Sequence, residues 1–225
     1  MTEQIRERLI GIGRAVADAG LVVAVGGNIA VRASDGRVWV TPTGLGLADL
    51  VADDLAEVSL DGRHLRGARA ATSELRLHLA ALRARRDAVW SLHLHPPMAT
   101  LLDALGLGIR TITTDHAFYL HTIARVPYLH PGTEALAAAA AAELVAGADI
   151  VLLRHHGCLI VAATPDLLLS RAMNLEAAAT ATYRARLLGD HETICPPEFL
   201  EHTRAEEARG NQYGARKSLT NDGER

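Results

Sequence analysis

Two short segments place histidines where they could share one metal ion: His93-Leu94-His95 and His155-His156-Gly157. Residues two apart on a strand project from the same face, so His93 and His95 can converge on a single ion. Each segment alone also has an ordinary reading, as polar residues at a strand end satisfied by backbone carbonyls. With eleven histidines in the chain, a His-x-His arises readily by chance. Two such strand ends together point further. Two imidazoles from the first segment and one from the second leave tetrahedral zinc an open position for water or substrate. Such a centre could polarise a carbonyl in a small oxygenated substrate and so favour making or breaking a bond next to it.

Three further segments supply complementary groups. In Ala71-Thr72-Ser73-Glu74, at a helix start, Ser73 can cap, Thr72 offers a hydroxyl, and free N–H groups favour an anion such as phosphate. Glu74 can move a proton beside the metal, or serve simply as a favourable acidic residue in a first helical turn. Gly26-Gly27-Asn28 and Thr41-Pro42-Thr43-Gly44 place small residues, hydroxyls and backbone N–H groups at strand-to-loop junctions, the material of an anion nest or of ordinary tight turns. None of these matches a Walker or dinucleotide fingerprint, which disfavours an ATP or NAD site.

The elements that must hold these residues read as follows. Apolar positions at helical spacing run from Glu3 to Ala19 and stop at Gly20. Two hairpins follow, Asn28–Arg32 with Arg37–Thr41, and Ala56–Leu60 with His64–Arg66. Ser73–Arg83 is a helix. Ala88–His95 is a strand stopped by Pro96-Pro97, with a short helix over Met98–Leu105. Thr133 caps an alanine-rich helix to Ala146, Asp149–Arg154 and Leu159–Ala162 are strands, and Thr164-Pro165-Asp166 opens a helix to about Leu188. From Cys195 the tail is polar and weakly periodic. The order predicts an α/β layered sandwich, a mostly antiparallel central sheet flanked by helices, as one domain over 1–225.

Composition narrows the classes. The longest apolar runs fall far short of a bilayer span, and the alternating charges after Met1 do not form a signal peptide, so a cytoplasmic protein without a membrane partner is expected. The net charge of −3 is made of mixed signs with no basic cluster among aromatics, which argues against nucleic acid. Cys158 and Cys195 are read as reduced thiols.

Taken in order, Gly-Gly-Asn, Thr-Pro-Thr-Gly, Thr-Ser-Glu, His-x-His-Pro and His-His-Gly resemble the class II aldolase/adducin family over roughly residues 5–190. The resemblance implies zinc, with manganese or iron as alternatives, on His93, His95 and His156. It makes Glu74 a fourth group that leaves the metal to act as acid or base when substrate enters. It maps a phosphate cradle onto Gly27, Asn28, Thr43, Gly44, Thr72 and Ser73. It further implies a homotetramer with sites between subunits. The activity it implies is a fuculose-phosphate-type lyase, cleaving a C–C bond next to a carbonyl in a small phosphorylated sugar through a zinc-bound enediolate. Decarboxylation of a keto or hydroxy acid is the alternative, ahead of a dehydratase, an epimerase or an adducin-type binding module. One departure concerns the proton donor. The family's aldolases carry a tyrosine where this chain has Thr114, so Tyr119 or His116 is expected to substitute from a shifted loop. Tyr213, before Gly214, resembles the family's tail tyrosine that closes over a neighbouring subunit's site.

Overall fold

The computed structural model describes residues 2–208. Helix α1 (Thr2–Asp18) leads into strands β1 (Asn28–Arg32), β2 (Val38–Val40), β3 (Ala56–Val58) and β4 (His64–Arg66). Then come α2 (Leu75–Ala84), β5 (Trp90–Leu94), α3 (Pro97–Ala104), α4 (Thr114–Leu120) and β6 (Ile123–Val126). The chain continues through α5 (Glu134–Val145), β7 (Ile150–Leu153), β8 (Gly157–Ala162), α6 (Pro165–Leu187) and α7 (Pro197–Ala208). The strands form one eight-stranded sheet in the order β4-β3-β2-β1-β5-β8-β7-β6. Every pairing is antiparallel except β6 with β7. The expected helix-flanked, mostly antiparallel sandwich is the observed one.

Period-2 alternation sorts the sheet into two faces. Ile29, Val31, Trp90, Leu92, Leu94, Cys158 and Ile160 pack into the core under α1, α3 and α6. Leu159 and Val161 pack on the opposite face with α2 and α5. By the same alternation Asn28, Ser91 and His93 turn toward the α2 side. Each fully buried leucine contributes roughly 1.5–3 kcal/mol, so β5, whose five residues are all buried, is a stiff base for anything at its end.

Several boundaries and elements differ from the expectations. Helix α2 begins at Leu75, with Glu74 at its N-cap position, and Ser73 makes no capping bond. The Thr72 hydroxyl accepts from the Glu74 amide instead (3.2 Å), which occupies the place a Ser73 cap would take. Residues 114–120 form a helix rather than a loop. Thr113 caps it by accepting from the His116 amide. Strand β6 was not foreseen, because four residues at a sheet edge give too short a pattern. The polar, weakly periodic tail from Cys195 contains a helix, α7 (Pro197–Ala208), which packs on α4. Its proline start favours a helix despite a polar composition. Both cysteines are buried and free.

Candidate metal centre and anion cradle

The three histidines meet at the end of β5. Their candidate ligand nitrogens all lie within 4.8 Å of one another. His93 and His95 bring their Nε2 atoms to 2.9 Å, and the His156 ring stands 4.7 Å and 5.2 Å, centroid to centroid, from theirs. The backbone explains the convergence. His93 is the fourth residue of β5, and His95 is the next residue on the same side. His156 enters from the turn between β7 and β8, where its amide donates to the Leu153 carbonyl (2.9 Å). The turn is tight enough to hold His155 at φ 59°, a left-handed conformation costly for a residue with a Cβ. Of the two adjacent histidines, His156 joins the cluster and His155 does not.

Glycines make room. A Cβ on Gly157 would lie 2.2 Å from the Leu94 carbonyl oxygen and 2.6 Å from His95 Cδ2, so only glycine lets β8 pass the His95 ring. Gly27, at φ 78°, turns the chain into β1, and a Cβ there would lie 2.8 Å from Val22 Cγ1 and 3.0 Å from the His93 carbonyl oxygen. On the far side, Glu176 of α6 accepts from the Met98 and Ala99 amides (2.8 and 2.9 Å), anchoring the first turn of α3 directly after His95-Pro96.

The donor set fits a divalent ion. His93 donates from Nδ1 to the Cys158 carbonyl (2.9 Å), which leaves Nε2 as the lone-pair nitrogen facing its neighbours. His156 Nδ1 is buried without a hydrogen-bond partner, an orphan a metal bond would satisfy. Burial, reinforced by the neighbouring imidazoles, holds His93 well below the usual histidine range; burial also lowers His95 and brings His156 to about 4. Neutral imidazoles are the form that ligates.

Glu74 stands outside the three-histidine cluster but is 6% exposed, with Oε2 buried and unpartnered. Desolvation raises its pKa, opposed by the Gly132 amide of the loop before α5. Around its helix start the cradle residues assemble by backbone pairing. Pro42 and Ala71 form an isolated antiparallel bridge, the Thr72 amide donates to the Thr41 carbonyl (3.0 Å), and Thr43 donates to Ala70 (3.1 Å). The bridge therefore sets Thr43 opposite Ala70 and Thr72 opposite Thr41, tying the segment of Thr43-Gly44 to that of Thr72-Ser73. Asn28, opposite His93 across the β1–β5 ladder, stands on the same face of the sheet.

Two buried residues escaped the sequence reading. His78 of α2, one turn after Glu74, places Nε2 2.6 Å from Asn28 Oδ1 and Nδ1 2.8 Å from Ser91 Oγ. The available signal was a lone histidine on an otherwise apolar helix face, and Ser91 two residues before His93 on one strand face. Of the expected proton-donor candidates, His116 is buried and Tyr119 half-buried, stacked edge-on against Phe118. His116 Nδ1 accepts from the Thr113 amide (3.4 Å), and burial lowers its pKa. Tyr213 lies outside the described residues.

The chain matches the family described as class II aldolase and adducin N-terminal domain over residues 7–183. It is 34% identical over 152 residues to the L-fuculose phosphate aldolase of Methanocaldococcus jannaschii, covering 68% of this chain and 81% of that one. Over 213 residues it is 28% identical to the 5-deoxy-D-ribulose 1-phosphate aldolase of Bacillus thuringiensis serovar kurstaki, covering 94% and 100%. It is 29% identical over 176 residues to the 3-oxo-tetronate 4-phosphate decarboxylase of Haemophilus influenzae, covering 76% and 81%. Among solved structures it is similar to an L-fuculose 1-phosphate aldolase with a TM-score of 0.82 at 25% identity, covering 92% and 96%. No helix among the described residues is long and apolar enough to cross a membrane.

Proposed function

This chain belongs to the class II aldolase and adducin N-terminal domain family, and from that premise we propose that it is a metal-dependent lyase cleaving a C–C bond next to a carbonyl in a small phosphorylated sugar. The observation that carries the reading is the convergence of three neutral imidazoles on the sheet face that also presents Asn28, near the start of the helix that bears Glu74. His93, His95 and His156 would hold the ion, with Glu74 as a fourth group before substrate enters. A bound divalent cation supplies Lewis acidity at the carbonyl and adjacent hydroxyl oxygens.

The chain's own groups do the rest. Gly27, Asn28, Thr43, Gly44, Thr72 and Ser73 offer hydrogen-bond donors but no formal charge, so a phosphate there is fixed by orientation more than by Coulomb attraction. Cleavage needs a proton removed from the hydroxyl next to the breaking bond and a proton delivered to the carbon that keeps the electron pair. Glu74, whose burial raises its pKa toward the operating range, suits the delivery. For the hydroxyl, His116 is the first candidate. Its Nδ1 is engaged by the Thr113 amide, so the neutral ring carries its proton on Nε2 and would donate a hydrogen bond to the hydroxyl or aldehyde oxygen, stabilising the charge that develops there while the hydroxyl proton leaves to solvent. Tyr119 is the second candidate, and Tyr213 is proposed to close over a neighbouring site. The proposal includes zinc as the resident ion, a homotetramer with shared sites, and a cytoplasmic setting.

Decarboxylation of a phosphorylated keto acid is a second reading on the same site. It is supported by the relative named as a decarboxylase. The test is a screen of zinc-loaded protein against phosphorylated ketoses and phosphorylated keto acids, detecting aldehyde and carbon dioxide separately. Aldehyde with dihydroxyacetone phosphate supports the lyase as proposed. Carbon dioxide without aldehyde transfers the assignment to decarboxylation, and neither product from any phosphorylated compound refutes both.

A further inference from the structure

We propose that His78 and Ser91 are positioning residues that lock the Asn28 side chain with its NH2 group presented to an anionic group of the substrate, an inference that rests on the anion cradle described above.

His78 is fully buried on the α2 face that meets the sheet, and its two ring nitrogens reach Asn28 Oδ1 at 2.6 Å and Ser91 Oγ at 2.8 Å. Asn28 Oδ1 can only accept, so His78 Nε2 must carry the hydrogen. Complete burial keeps the ring uncharged, so Nδ1 is bare and accepts from the Ser91 hydroxyl. The relay runs one way, from Ser91 through His78 to Asn28.

Its consequence falls on the other end of the amide. With the oxygen tied inward, the Asn28 nitrogen, which makes no hydrogen bond with the described residues, is turned away from His78. A free asparagine amide can flip by half a turn and offer its oxygen, which would repel an anion; the His78 donor makes that orientation costly. The geometry also couples the two sites. Asn28 and His93 are opposite partners on β1 and β5, and Ser91 precedes His93 by two residues on the same face, so one pair of strands fixes both the amide and a metal ligand.

The proposal is tested on the zinc-loaded full chain. In protein carrying 15N-labelled histidine, the His78 ring should be the Nε2–H tautomer at neutral pH; an Nδ1–H tautomer overturns the relay. Calorimetry with inorganic phosphate as the probe then closes a double-mutant cycle. Asn28→Ala should weaken phosphate by about 10–100-fold and His78→Phe by about 5–20-fold, the magnitudes expected for a hydrogen bond to a charged group and for its loss of aim. In the Asn28→Ala background His78→Phe should cost nothing more. His78→Gln, which keeps a donor, should recover part of the loss, and zinc content should stay at the unmodified level throughout. Additive losses, or unchanged phosphate affinity in His78→Phe, overturn the positioning role. If His78→Phe does not fold, Ser91→Ala closes the same cycle with a smaller effect. Absence of phosphate binding by the unmodified protein overturns the cradle itself, a failure distinct from additivity in the cycle.

Discussion

His93 stands on β5, a strand buried on both faces, with His95 just past its end and His156 in the β7–β8 turn beside it, whereas His116 and Tyr119 ride on α4, a seven-residue helix capped by Thr113 and packed on α6 and α7. The first region is over-determined. Neighbouring strands, the Gly157 passage and the Glu176 anchor each fix the same ring positions. The second region is held by one cap and by the packing of His116, Ala117 and Leu120 against neighbouring helices, with no strand pairing to fix it. A scaffold that held the proposed metal ligands rigidly and the proposed proton donors loosely could serve several reactions on one centre, which fits relatives named both aldolase and decarboxylase.

If that division is right, the largest effect should come from the proton-moving group nearest the rigid region. Glu74→Gln keeps size and one acceptor but cannot cycle a proton. It should retain metal and lose turnover by roughly 10²–10⁴-fold. Exchange of a substrate α-proton with solvent reads it directly, and undiminished exchange assigns the proton elsewhere. On α4 the expectation is asymmetric. His116→Phe should lower turnover by about 10²-fold with metal retained, and Tyr119→Phe by much less. The reverse ranking would make Tyr119 the donor.

What was legible in the sequence follows the same line. The triad could be read because period-2 spacing on a strand states which side chains share a face, and because proline and glycine mark where the strands stop. Asn28–Arg32 and His64–Arg66 were foreseen to the residue for the same reason. Residues 114–120 could not be read as a helix, since seven residues carry barely two turns of periodicity and their stability comes from α6 and α7, distant in sequence. Helix α7 was missed because a polar amphiphile shows little pattern until its partner α4 is known. His78 was passed over because a lone histidine in a helix says nothing of the strand residues it meets across the sheet.

Two smaller effects probe the contrast through stability. His78, held at about 3, His156 at about 4, and His93 and His95, also lowered, remain neutral when folded but take up protons near 6.5 when unfolded. The unfolded chain therefore binds more protons below that value. Stability present above pH 6.5 is lost as the pH falls toward 4 and 3, by up to ~1.4 kcal/mol per pH unit for each fully buried ring and less for the half-exposed His95 and His156. Urea unfolding of metal-free protein at pH 7.5 and 5.5 should show this, and equal stabilities would contradict the burial of the cluster. The least effect belongs to the α4 cap. Thr113→Ala should cost about 1 kcal/mol of stability and reduce turnover without altering metal content.

The most direct test of the central claim is the metal itself. Elemental analysis of protein purified without chelators should find one equivalent of a divalent ion, zinc above manganese or iron, per chain. His93→Ala, His95→Ala and His156→Ala should each lose it while keeping a folded circular-dichroism spectrum. No stoichiometric metal in the unmodified protein, or full metal content in any one of the three variants, would contradict the three-histidine centre.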